Sequence, residues 1–186
     1  MDFSKFKTPD WLIVGGGVLF FIGGFLDWIS VDFEGVGGAS GGNVFDFFFT
    51  GIVPWILIIG AAVITVLLVG GTMKPGTTPW NLILLAATAL GALLVLLRFI
   101  APGLGEDVPD GLDIGRGIGL ILCTIAAIVA AVGAGLRFKE AGGTMSDFTD
   151  RDKLRSSFNR GGGSGGAPPP PPPPPGAAPP PPPPVP

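Results

Sequence analysis

Residues 80–101 read WNLILLAATALGALLVLLRFIA, a stretch whose only charge is Arg98 and whose only other polar side chains are Asn81 and Thr88. A helix of this length rises about 33 Å at 1.5 Å per residue, enough to cross a hydrocarbon core of about 30 Å. Apolar residues occupy every side of its helical wheel, so no face is left for water. Three further runs share this character: Trp11–Ser30, Phe47–Gly70 and Gly117–Leu136. Each is close to the roughly 20 residues that a spanning helix needs. The mean hydropathy is +0.60 and charged residues make up 13% of the chain, against about a quarter in soluble domains. The expected fold is therefore all-α, a four-helix transmembrane bundle over residues 11–136.

The flanks of the runs support that expectation. All four tryptophans stand at run edges: Trp11, Trp28, Trp55 and Trp80. Amphipathic rings favour the headgroup level, so these positions read as interfacial anchors. Thr8-Pro9-Asp10 and Thr78-Pro79 carry capping and first-turn chemistry, Pro54 falls in the first turn of the second span, and Pro102 stops the third. The similarity of residues 8–13 to 78–83 points to a duplicated hairpin, or equally to shared capping chemistry. Cleavage of the first run as a signal peptide is disfavoured, because its small-residue site at Gly37-Gly38-Ala39 lies beyond Asp32 and Glu34.

Charge then sets an orientation. Lys5, Lys7, Lys74, Arg137, Lys139, Arg151, Lys153, Arg155 and Arg160, nine of the eleven basic residues, fall on one side of a four-span chain. The opposite side holds Asp32, Glu34, Asp46, Glu106, Asp107, Asp110 and Asp113. By the positive-inside rule both termini are cytoplasmic, in a multi-pass plasma-membrane protein whose first partner is the lipid bilayer. Packing within a bilayer requires close backbone approach. Gly16, Gly17, Gly23 and Gly24 on the first span offer such a surface. Ala126, Ala130 and Ala134 form one row on the fourth span, Ala127, Ala131 and Gly135 the next, and Ala87 and Gly91 can meet them from the third. The same surfaces would serve a homo-oligomer.

Beyond the spans the chain divides into a cytoplasmic N-terminus (1–10), a polar juxtamembrane segment (137–160) and a Gly/Pro-rich tail (161–186) expected to be disordered. Phe148, Leu154 and Phe158 could line a short surface helix. Pro168–Pro175 and Pro179–Pro184 form two polyproline blocks, the first spanning about 25 Å at 3.1 Å per residue. They are either a docking strand for an aromatic-lined groove on a cytoplasmic protein or a solubilising spacer.

Chemistry-bearing residues are few. The chain has no histidine and no tyrosine, which removes the commonest general base and metal ligand. Cys123 has no histidine to activate it, and the Gly70–Gly76 loop lacks phosphate-loop spacing. The expectation is a non-enzymatic protein with no cofactor and no nucleic-acid partner. The acidic loop Glu106–Asp113 does not match a calcium loop and reads as solvated. Asp27 and Arg98 fall at similar depth near the outer ends of their spans and form a candidate intramembrane ion pair, for structure, anchoring or translocation.

Gly24-Phe25-Leu26-Asp27-Trp28-Ile29-Ser30, followed by a short Gly-rich loop and a returning span, resembles small four-span membrane proteins of actinobacteria, with Asp27 standing where those commonly have proline. The resemblance implies a bacterial plasma-membrane location and a cytoplasmic Pro/Gly-rich extension, without an assigned activity. The leading expectation is a scaffold or tether presenting its tail, and the alternative is a small transporter or channel subunit using Asp27 and Arg98. The orientation is open to a direct check. In a Cys123→Ala background, single cysteines at Ser40 and Gly105 should react with an impermeant thiol reagent in intact cells, while those at Ser4 and Ser164 should stay protected; labelling of Ser164 from outside would refute the topology.

Overall fold

The computed structural model describes residues 3–33, 37–73, 78–103 and 113–143. The acidic loop 104–112, the segment from 144 and the whole Gly/Pro tail, with Pro168, Pro175, Pro179 and Pro184, lie outside the described residues. The elements run α1 (Thr8–Gly24), β1 (Ile29–Phe33), β2 (Gly37–Gly41), α2 (Val53–Val69), α3 (Trp80–Ile100), β3 (Asp113–Arg116) and α4 (Ile118–Glu140). A wide π-type turn at Phe48–Ile52 feeds directly into α2. With that turn included, α2 to α4 are three helices long and apolar enough to cross a membrane. α1 is apolar but shorter, at 17 residues.

Each helix packs on its neighbours in sequence and α1 also packs on α4, closing a four-membered ring. Its interior holds two clusters of buried apolar side chains. One, towards the sheet, holds Phe20, Val95, Leu120, Ala126 and Ala127; the other, towards the chain termini, holds Ile13, Ala61, Leu84 and Ala134. Apolar side chains also face outward, among them Val18, Phe21, Ile56, Leu93, Ile118, Ile125 and Val132. A water-soluble bundle places its polar residues there; this distribution suits a hydrocarbon surround.

α1 and α4 run antiparallel and touch through their backbones. A Cβ added at Gly16 would sit 2.8 Å from the Ala126 carbonyl oxygen and 2.9 Å from Ala130 Cβ; at Gly23, 2.8 Å from Cys123 Sγ; at Gly133, 2.7 Å from Leu12 Cβ and 2.9 Å from the Pro9 carbonyl oxygen. Gly16 and Gly23, like Gly119, Ala126 and Gly133, recur every seven residues, the period of a left-handed seam between packed helices. Not every expected small-residue contact forms. Gly91 meets Ile58 of α2 rather than α4, and Gly135 faces open space.

The all-α expectation requires a correction, because the connections at one end form a three-stranded antiparallel sheet of order β2-β1-β3. Ile29 pairs with Gly41 on one side and Arg116 on the other. The alternation Ile29-Ser30-Val31-Asp32-Phe33 suits a strand, and its β-branched residues favour one. The first apolar run extends to Ser30, yet its helix stops at Gly24. Beyond the glycine pair the chain turns, and Trp28 donates its backbone N–H to Gly42 (2.8 Å) and accepts from Gly117 (2.9 Å), joining sheet pairing in place of a helical ladder. At the start of α1 the cap is Lys7 rather than Thr8, and the Asp10 carboxylate accepts the Lys7 backbone N–H at 3.0 Å.

The glycine seam predicts opposite outcomes at adjacent positions. Gly16→Leu forces α1 from α4 and should destabilise the bundle in detergent by about 1–3 kcal/mol, the usual cost of overpacking. Gly15, next to it, has nothing within 4 Å of an added Cβ, so Gly15→Ala should be neutral or stabilising by up to about 1 kcal/mol. Thermal melting of both variants is the check, and equal destabilisation would contradict the packing.

Candidate functional site

Two polar assemblies occupy the two ends of the bundle. At the end carrying the chain termini, Asp10 lies in the first turn of α1 and Arg137 in the last turns of α4. In antiparallel neighbours these positions coincide in space, an acid at the positive end of one helix dipole and a base at the negative end of the other. Arg137 Nη1 donates to Asp10 Oδ1 at 2.5 Å, and Arg137 Nε donates to Asn81 Oδ1, in the first turn of α3, at 3.0 Å. One guanidinium thus ties three helix ends together. Its side chain is 19% exposed and that of Asp10 8%, so the contact is mostly withdrawn from solvent while the guanidinium keeps an exposed edge. The neighbouring Lys7–Glu140 contact, at 3.8 Å with side chains 75% and 49% exposed, is of the exposed kind that adds little to stability.

Two cavities flank Arg137. One of about 230 Å³ is bounded by Lys5, Lys7, Asp10, Asn81 and Glu140; the other, about 350 Å³, by Leu68, Pro79, Trp80, Leu82 and Phe138. Arg137 and Asn81 line both. A charged recess and a largely apolar one therefore meet at a single guanidinium.

At the sheet end Trp28 is 0% exposed, so it is no interfacial anchor but the centre of a buried stack. Its indole Nε1 donates to the Gly23 carbonyl at 3.2 Å, and its ring lies 5.9 Å from that of Phe47, 20° from parallel. The Arg98 guanidinium sits 3.8 Å over the other aromatic partner's centroid, Phe47, in a cation–π contact, with Arg98 1% exposed. Asp27, expected opposite Arg98, is exposed and accepts the Ser40 hydroxyl at 2.6 Å, tying the turn before β1 to β2. Arg116 donates through Nε to the Phe99 carbonyl at 2.6 Å and covers the Phe99 ring, so β3 clasps the end of α3. Trp11 is half exposed, while Trp55 and Trp80 are partly buried. Trp55 belongs to an aromatic patch with Phe21, Phe25 and Phe45, whose successive ring centroids lie 5.2–5.8 Å apart.

Within the bundle the buried hydroxyls are spent locally. Thr65, Thr88 and Thr124 each donate to the carbonyl four residues earlier, at 2.7–2.8 Å. Cys123 Sγ lies 3.6 Å from the Phe20 carbonyl at the α1–α4 contact, a packing position. Among the described residues no group of three or more His, Cys, Asp or Glu could hold a metal ion.

Sequence reasoning singled out Asp27 and Arg98 and passed over Asp10, Asn81 and Arg137. The signal was present: an acid opening the first apolar run, an amide opening the third and a base closing the fourth must share one end of any antiparallel four-helix bundle. Comparison with family models, curated proteins and solved structures finds no match.

The three-helix tie predicts energetic coupling. Asp10→Asn and Arg137→Gln should each lower stability, since each leaves a shielded partner unmatched. In a double-mutant cycle the two should couple by about 0.5–3 kcal/mol. Strict additivity in detergent unfolding would show that the contact contributes nothing.

Proposed function

We propose that this chain is a non-enzymatic four-span membrane scaffold, with both termini on the cytoplasmic side of a plasma membrane, whose bundle anchors a proline-rich tail that engages a partner. The observation that carries the choice of scaffold over transporter is the local satisfaction of Thr65, Thr88 and Thr124. A translocation path needs polar groups turned towards a lumen, and these hydroxyls are turned to their own helices. The backbone contact of α1 with α4 supports the same choice, since helices meeting through glycine leave no space for a solute. Arg98 stacks on Phe47 next to Trp28 instead of facing water, which suits a structural role at the sheet end.

A tether must be separable from its anchor. Gly161–Gly166 and the proline blocks have little apolar surface to bury against the ordering entropy. Truncation after Asn159 should leave membrane insertion and the melting temperature in detergent unchanged, while abolishing capture of a cytoplasmic partner by the full-length chain from native membranes. Undiminished capture would place the binding surface elsewhere. Ion or solute flux in proteoliposomes that is abolished by Arg98→Gln would establish the transporter instead.

A further inference from the structure

We propose that the terminus end of the bundle is a binding site for an anionic phospholipid, with the phosphate held by Lys5, Lys7 and Arg137 and one acyl chain entering the cavity over Leu82 and Phe138. The inference rests on the membrane reading above. Its basis is the pair of cavities that meet at Arg137, one charged and one largely apolar, which match in order the headgroup and the chain of a lipid. The apolar recess, about 350 Å³, is within the range of small-molecule sites. Trp80 on its wall is the kind of residue that resides at headgroup level.

The charge on the polar side favours a phosphate. Lys5, Lys7 and Arg137 outnumber Asp10 and Glu140 around the recess. Arg137 gives one N–H to Asn81 and one to Asp10. A guanidinium carries five, so donors remain for an oxyanion. Among the described residues the Lys7 ammonium meets Glu140 in a long, exposed contact, which a phosphate oxygen can replace at small cost. A zwitterionic lipid presents the same phosphate with a compensating cation that Lys5 and Lys7 would repel. Basic recesses between helices on the cytoplasmic side are where anionic headgroups gather.

The test uses the full chain reconstituted in phosphatidylcholine vesicles containing trace spin-labelled phosphatidylglycerol or phosphatidylcholine, reading the relative association constant of the two labels. The expected preference for phosphatidylglycerol is about thirtyfold at most, the factor set by two lysines near the headgroup plane. Lys5→Gln with Lys7→Gln, both exposed positions, should remove most of that preference without changing the melting temperature. Lys139→Gln, which deletes a charge at the same end but outside the charged recess, should retain it. Leu82→Trp, filling the apolar recess, should weaken the immobilised component of both labels. An equal loss in Lys139→Gln would mean diffuse surface charge and overturn the site, as would full competition by inorganic phosphate, which would make the free ion the ligand. A chain that incorporates into vesicles but shows no preference overturns this inference alone; a chain that fails to enter any vesicle overturns the membrane reading with it.

Discussion

Close contact between α1 and α4 is the constraint on which the rest of the structure depends. The outward faces of the helices are as apolar as the inward ones, so in a hydrocarbon surround the helices gain nothing by hiding apolar surface. They must associate through packing and polar contacts. Gly16, Gly23, Gly119 and Gly133 provide this by letting two backbones meet without intervening side chains. Because the contact is antiparallel and in one register, it brings the N-terminus of α1 against the C-terminus of α4. Asp10 and Arg137 meet there, and at the other end the strand after α1 meets the strand before α4.

The two ends solve different problems. At the terminus end, helix dipoles of opposite sense lie side by side, and the Asp10–Arg137 pair complements both while Asn81 brings in α3. At the sheet end two connections, α1–α2 and α3–α4, must be closed over the bundle. Backbone pairing through Trp28 starts the sheet, and the Trp28–Phe47–Arg98 stack fills the space beneath it. The stack shields a guanidinium at the mouth of the bundle, where an arginine facing lipid would be expensive. Cation–π contact with Phe47 provides part of the compensation.

This division bears on function. The hydroxyls of Thr65, Thr88 and Thr124 inside the bundle are bonded within their own helices, whereas the terminus end carries two recesses around one arginine. Both recesses lie at the end where α1 begins and α4 finishes.

The sequence by itself determined the helices. Lengths, hydropathy and proline punctuation placed α2, α3 and α4 to within a few residues, because a spanning helix is a local object whose period and length are written in consecutive residues. Gly16 and Gly23 were legible as a packing surface for the same reason. Only the tertiary structure decided which residues meet. Ile29–Phe33 alternates as a strand should, but its register depends on β2 and β3, the second rich in glycine and the third more than eighty residues away. Trp28 looked like an anchor because its position at the end of an apolar run is local information, whereas its burial comes from Phe47 and Arg98 arriving from other elements. The pairing of Asp10 with Arg137 in place of Asp27 with Arg98 follows the same logic. Depth along a span can be read from sequence, but the rotation of each helix about its axis is settled only when its neighbours pack against it.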